Sequence, residues 1–98
     1  MKRARWSVQA RNELRAAAQW YREQSPYAAE KLEGTLRAAL ADVCEAPRRW
    51  PVWRATAYRR YVVPRFPYSI VYRLLDDDRV LVVALLHHSR DPDRRLPP

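Results

Sequence analysis

The fold is decided by residues 58–92, which read YRRYVVPRFPYSIVYRLLDDDRVLVVALLHHSRDP. Apolar runs separated by a proline-containing turn and an acidic turn predict three strands, at residues 58–63, 68–75 and 79–87. The third strand is apolar at consecutive positions, which is typical of a strand with both faces covered. We therefore expect this strand in the middle of the sheet.

The sequence before this stretch predicts a pair of helices. Ser7 is a typical helix cap, and apolar residues at three- and four-residue spacings predict a first helix over residues 8–22. Ser25 and Pro26 predict the start of a second helix, which continues to about residue 45. The connection between the helices is short, so the two should form an antiparallel hairpin.

Three further features complete the prediction of local structure. Residues 2–6 are compatible with an edge strand. Residues 46–57 form a connector that should place Trp50 and Trp53 over the end of the core, although exposed tryptophans beside arginines could also stack on bases. Gly34 lies inside the second helix, where we expect it to allow close packing against the first helix.

These elements predict a single α+β domain over residues 1–98. An N-terminal helical hairpin packs on a small antiparallel β-sheet, in the order β-α-α-β-β-β. Residues 76–78 are expected to form a tight turn rather than a calcium loop. Residues 91–98 are charged and rich in proline, and we expect a frayed tail there.

The charge balance favours an acidic or polyanionic partner. The 98 residues include 19 Lys and Arg against 11 Asp and Glu, which gives a formal net charge of +8. The single cysteine, Cys44, excludes an internal disulfide, is expected in the core and favours a reducing cytoplasm. The longest apolar run, residues 80–86, is much shorter than the roughly 20 residues of a membrane span, so we expect a cytoplasmic protein.

The arginine-rich strands suggest one kind of chemistry and make others improbable. Adjacent His87 and His88 should point to opposite sides of a strand, so they do not form a metal site. The chain has only one glycine, which excludes a glycine-rich phosphate loop, and no cofactor is predicted. Arginine, phenol and imidazole are the groups that metal-free RNA cleavage would use. The candidates for that chemistry are Arg60, Tyr72, Arg73, His87 and Arg90.

Two considerations weigh against that chemistry. Arg59 and Arg60 alternate across their strand, so only one of them can face a given site. A histidine at the end of a core strand is also more often a hydrogen-bonded structural residue than a catalyst.

The chain as a whole resembles the RelE/ParE superfamily of bacterial toxins from type II toxin-antitoxin systems. The resemblance rests on R-R at residues 59–60, R-F-P-Y at 65–68 with Tyr72, and H-x-x-R-D-P at 87–92. The first half agrees through W-S-x-x-A-R-x-E-L at residues 6–14, S-P-x-A-A at 25–29 and A-P-R-R-W-P at 46–51. The resemblance implies a helical hairpin on a small antiparallel sheet, and a toxin held inactive by a cognate acidic antitoxin.

The superfamily contains two activities, and the sequence favours the ParE-like one. RelE-like members cleave mRNA on the ribosome, whereas ParE-like members poison DNA gyrase without being nucleases. This chain lacks a Lys-rich strand and a terminal catalytic tyrosine, because only DPDRRLPP follows Arg90. The expected partners are an antitoxin and DNA gyrase, in a homodimer or a toxin-antitoxin hetero-oligomer. The residues predicted to bind the target or the antitoxin are Arg59, Arg60, Arg65, Arg73, His87 and Arg90.

Two alternatives remain open at this point. The first is a RelE-like, ribosome-dependent mRNA endonuclease that would use the five candidate catalytic residues. The second is a basic binding module without toxicity.

Overall fold

A computed structural model describes residues 4–54, 56–75 and 79–90. Four strands and two helices follow one another in the predicted order, and the α+β fold with a helical hairpin on a sheet is confirmed. The predicted turn at residues 76–78 and the predicted tail at 91–98 lie outside the described residues. The elements are β1 (Ala4–Trp6), α1 (Val8–Gln24), α2 (Pro26–Glu45), β2 (Arg59–Val62), β3 (Tyr68–Leu74) and β4 (Val80–His87).

The helices begin where the sequence places their caps. The backbone N–H of Ala10 donates to Ser7 Oγ at 3.1 Å, which satisfies one of the open donors of the first turn of α1. Ser25 stands at the N-cap of α2 without a side-chain hydrogen bond, and Pro26 occupies the first turn as predicted. Neither helix combines the length and the apolar character that crossing a membrane would require.

The sheet has the strand order β1-β4-β3-β2, so β4 is an interior strand as predicted. β2 pairs with β3, and β3 with β4, in antiparallel fashion. β1 instead runs parallel to β4, with Ala4 opposite Val80 and Trp6 opposite Val82. The sheet is therefore mixed rather than wholly antiparallel, because a three-residue strand carries no sequence signal for the direction of its partner.

The two faces of the sheet are covered by different parts of the chain. Residues directly opposite each other on paired strands share a face. Tyr61 and Ile70 are such a pair, and they lie in the main core with the helices, on what we call the helix face. Val71 and Ala84 form a pair on the opposite side, which we call the open face. A smaller apolar cluster covers part of the open face and consists of Trp53, Tyr58, Val71, Ala84 and Leu86.

The connector contributes one tryptophan to each side of the sheet. The half-buried Trp50 packs edge-on against Tyr61 on the helix face, with ring centroids 4.6 Å apart. Trp53 is buried in the smaller cluster, and the Arg54 guanidinium lies 4.6 Å from the centroid of its ring. The two tryptophans thus pack on the core as expected, although on opposite faces of the sheet.

Beyond the end of β1, backbone groups on this edge of β4 form hydrogen bonds with Ser7, the cap of α1, and with Glu13 in α1. Ser7 continues the line of β1, since its backbone N–H donates to the Val82 carbonyl at 2.9 Å. Farther along, the Glu13 carboxylate accepts a hydrogen bond from the backbone N–H of Leu85 at 3.0 Å. The backbone of Ser7 and the carboxylate of Glu13 therefore replace part of the missing strand, as buried backbone groups require.

Gly34 does not play the role predicted for it. The nearest atom that a Cβ at this position would meet is the Nη2 atom of Arg37, at the ordinary contact distance of 3.8 Å. The glycine therefore gives α2 no closer approach to α1, and the prediction of glycine-dependent packing is wrong. What remains is the entropic cost of a glycine inside a helix.

Replacing Gly34 by alanine should stabilise the protein. We expect the free energy of unfolding to rise by about 1 kcal/mol, because alanine restricts the unfolded chain and fits the available space. Urea denaturation followed by circular dichroism measures the change. Ala38→Gly, at an exposed position of the same helix, is the matched control and should lower the stability by a similar amount. A destabilised Gly34→Ala variant would show that this position is tightly packed after all.

Candidate functional site

Two of the predicted site residues meet in a cleft at one corner of the molecule. The cleft lies where the end of α1 approaches the start of β3 and the end of β4, and its volume is about 310 Å³. We call it the corner cleft. The residues that line it are Trp20, Tyr21, Pro67, Tyr68, His87, Ser89 and Arg90.

Aromatic rings form the wall of the corner cleft. The ring of Tyr21 meets Phe66 edge-on, with centroids 5.3 Å apart, and also meets Trp20 edge-on at 4.9 Å. Trp20 is half exposed, which is unusual for so large an apolar side chain in a small domain. The cleft therefore presents an indole to solvent beside charged and polar groups.

His87 is held in one orientation by the turn that follows β4. Its Nδ1 atom accepts hydrogen bonds from the backbone N–H groups of Ser89 and Arg90, both at 3.2 Å. In a neutral imidazole with Nδ1 as acceptor, the proton is on Nε2. His87 is then a hydrogen-bond donor through Nε2.

Tyr68 connects His87 to Arg90. The buried ring of Tyr68 stands perpendicular to the imidazole at a centroid distance of 5.1 Å, and its hydroxyl accepts a hydrogen bond from Arg90 Nη2 at 2.9 Å. Sequence reasoning did not include Tyr68 among the site residues. The available signal was its place in R-F-P-Y, at the start of a strand whose antiparallel partner ends at His87.

A second polar cluster lies on the open face. The Nε of Arg60 donates to Ser69 Oγ at 2.8 Å, and the same Oγ lies 2.8 Å from Nε2 of His88. Ser69 itself is completely buried. His88 is thus on the side of the sheet away from His87, which confirms that the two histidines point apart. Sequence reasoning selected Arg60 and missed both of its companions, which the strand register brings together.

Tyr72 is part of the core rather than of a reactive surface. It is completely buried, and its hydroxyl donates to the Pro47 carbonyl at 2.5 Å. Burial raises the pKa of Tyr72 to about 12, although nearby Arg59 lowers it in part. The phenol therefore cannot meet a substrate or lose its proton near neutral pH. This environment weighs against the catalytic role predicted for Tyr72.

The other predicted arginines are distributed around the sheet. The Arg59 guanidinium donates to the carbonyls of Arg48 and Trp50, at 3.2 and 2.7 Å, and so fastens the connector to β2. Arg65 is exposed in the turn between β2 and β3, with a positive φ of 70°. Arg73 is exposed and lies opposite Leu81 on the open face.

The five candidate catalytic residues do not meet at one site. Arg60 and Arg73 lie on the open face, whereas Tyr72 and His87 belong to the helix face. Arg90 lies beside Tyr68 in the corner cleft. Within the described ranges, no three His, Cys, Asp or Glu side chains form a group that could hold a metal ion. What the corner cleft offers instead is a set of hydrogen-bond donors beside an exposed indole.

Comparisons with known proteins agree on family and fold. A family model described as "ParE toxin of type II toxin-antitoxin system, parDE" matches residues 4–92. The fold is similar to that of a solved chromosomal ParDE system from P. aeruginosa, with a TM-score of 0.77 and 16% identity over 89% of this chain and 96% of that chain. It is also similar to the intact E. coli RelBE toxin-antitoxin complex, with a TM-score of 0.58 and 18% identity over 92% of this chain and 100% of that chain. None of the curated proteins matches the sequence.

Tyr72→Phe should destabilise the protein, because it leaves the buried Pro47 carbonyl without its donor. We expect a loss of about 1–3 kcal/mol in the free energy of unfolding, measured by urea denaturation at pH 7. The hydroxyl should also make stability depend on pH. Its pKa is raised by folding from 10.0 to about 12, so its contribution is complete below pH 10 and is lost as the pH rises through 12.

The control for this measurement is Tyr27→Phe, which changes an exposed tyrosine in α2. It should leave both the stability and its decline at high pH unchanged. Equal stability of Tyr72→Phe and the parent protein would contradict the structural role of this hydroxyl.

Proposed function

Because this chain belongs to the ParE toxin family of type II toxin-antitoxin systems, we propose that it inhibits growth by acting on DNA gyrase and is neutralised by a cognate antitoxin. The observation that carries the proposal is the family match over residues 4–92, which includes both helices, all four strands and the corner cleft. The fold and the positive charge of the chain suit a small protein that acts by binding.

The arrangement of polar residues favours binding over RNA cleavage. Cleavage needs a base, an acid and a cation around one phosphate. In this protein Tyr72 is buried, and the Nδ1 lone pair of His87 is used within its own turn. Arg60 and His87 lie on opposite faces. These placements weigh against the RelE-like alternative, which would need the same residues together.

The predicted arginines that face solvent are proposed to contact gyrase. Arg65, Arg73 and Arg90 are exposed, whereas Arg59 is engaged with the connector. Arg90 and the Trp20 indole both line the corner cleft. Arginine beside an exposed aromatic ring is typical of the residues that dominate protein interfaces.

A different surface suits the antitoxin. An apolar groove of about 310 Å³ runs between the two helices and β1, and its apolar wall is formed by Trp6, Leu14, Leu36 and Leu40. Arg37 and Glu33 also line the groove, Glu33 is paired with Arg22 at 3.4 Å, and the net charge of +8 favours an acidic partner. The ParDE and RelBE structures are both of toxin-antitoxin systems. We propose that an antitoxin segment lays its apolar side chains in this groove and its acidic ones beside it.

Expression in a bacterial host tests the target. Growth should stop on expression of this chain alone and continue when the antitoxin encoded beside it is produced as well. Purified toxin should cause breaks in supercoiled plasmid DNA only when gyrase is present. The mRNA 5′ ends mapped in cells that express the toxin should stay unchanged. New mRNA ends phased with codons would instead establish the RelE-like alternative. Normal growth without any antitoxin would contradict the toxin proposal itself.

Leu40→Asp tests the antitoxin groove. A carboxylate at this half-buried position should weaken antitoxin binding by about tenfold or more. It would lose its hydration against the apolar side chains of the antitoxin, and it would repel the acidic side chains beside them. Ala41→Asp, at an exposed neighbouring position that does not line the groove, is the matched control and should bind normally. Calorimetric titration gives both affinities, and circular dichroism confirms that each variant is folded. Equal affinity of the two variants would place the antitoxin elsewhere.

A further inference from the structure

The cluster of Arg60, Ser69 and His88 on the open face has the composition of an anion site. Ser69 is opposite Val62 on β2 and opposite Leu86 on β4, so its side chain stands on the open face between the two strands. The Ser69 side chain is polar and fully buried. A buried hydroxyl requires hydrogen-bond partners, and Arg60 and His88 provide them.

The direction of these hydrogen bonds leaves donors pointing away from Ser69. The Nε of Arg60 can only donate, so Ser69 Oγ accepts a hydrogen bond from it. The Ser69 hydroxyl can in turn donate a hydrogen bond to Nε2 of His88. A neutral His88 that accepts at Nε2 carries its proton on Nδ1. The four remaining guanidinium N–H groups of Arg60 donate to no acceptor within the part of the chain that the structure describes. The Nε atom of Arg60 and the Nε2 atom of His88 each lie 2.8 Å from the same Ser69 Oγ, so the two side chains are close together.

The Arg60 guanidinium is held by Ser69 and has no counter-charge among the described residues. Arg60 is half buried and forms no ion pair with a described carboxylate. A partly buried cation without a counter-charge is costly, and an anion that binds to it would offset that cost. Because the bond to Ser69 already orders the side chain, little further conformational entropy is lost when a ligand binds. These are the properties of a preorganised anion site.

We propose that Arg60 and His88 form a binding site for a phosphate group on the open face. The planar fork of arginine fits two oxygens of an oxyanion, and the N–H of His88 can serve a third oxygen, which a phosphate has and a carboxylate lacks. In the neutral tautomer in which Ser69 donates to Nε2, the His88 proton is on Nδ1, and the site offers donors to a phosphate without a base to cleave it. The site is separate from the corner cleft and the antitoxin groove.

Titration of the labelled protein with inorganic phosphate tests this site. The side-chain resonances of Arg60 and His88 should shift together at constant pH and chloride concentration. Arg60→Gln should weaken binding by about tenfold or more, because it removes the charged fork. Arg5→Gln is the matched control: Arg5 is exposed on β1 opposite Leu81, and its loss changes the net charge equally. It should change the affinity by less than about twofold, as expected for a distant surface charge.

Two further measurements identify the source of the phosphate and provide a second variant in case the first does not fold. A short 5′-phosphorylated single-stranded oligonucleotide, followed by fluorescence anisotropy, should bind in an Arg60-dependent manner if the phosphate belongs to nucleic acid. Binding of inorganic phosphate alone would assign the site to a small phosphorylated ligand. Should Arg60→Gln fail to fold, His88→Asn at an exposed position should weaken phosphate binding in the same way.

Three results would overturn the proposal. One is the absence of phosphate-dependent shifts at Arg60 and His88, and another is equal weakening by Arg60→Gln and Arg5→Gln. The third is binding of acetate as strong as binding of phosphate, which would show that the third donor has no role.

Discussion

The structure depends on the burial of β4 on both faces and the satisfaction of its backbone on both edges. One edge is paired along its length with β3. The other edge is paired with the three residues of β1, after which Ser7 and Glu13 supply the hydrogen bonds. Each fully buried Val or Leu in such a strand contributes about 1.5–3 kcal/mol relative to an exposed one, so both faces must be covered. The helical hairpin covers one face and the tryptophan of the connector covers part of the other.

The residues that mark the family are in contact with one another in the fold. Tyr68 of R-F-P-Y holds both His87 and Arg90 of H-x-x-R-D-P. The Tyr72 hydroxyl and the Arg59 side chain hold the backbone of A-P-R-R-W-P through the carbonyls of residues 47, 48 and 50. The motifs therefore connect the ends of strands and fasten the connector to the sheet. This explains why they identify a scaffold, and why they do not by themselves indicate an active site.

Local signals in the sequence predicted most of the fold. Ser7 and Pro26 mark helix starts, and the apolar run of β4 marks an interior strand, because caps and burial act on neighbouring residues. The alternation of β3 could not say whether Tyr72 or Arg73 faces the helices, since that depends on pairing between distant strands. The same limit hid the cluster of Arg60 with Ser69 and His88. Its members meet only through the register of three strands, since Ser69 and His88 are 19 positions apart in the sequence.

The parallel pairing of β1 with β4 sets an order for folding during synthesis. Ser7 and Val83 are bonded across 76 positions of the sequence, whereas the contacts within the helical hairpin are local. Local contacts form quickly, and distant strand pairs must wait until loop closure is possible. The hairpin can therefore form early, but β1 has no strand to pair with until residues 80–82 have been made. We therefore expect a nascent chain of this protein to form its helices before its four-stranded sheet is complete.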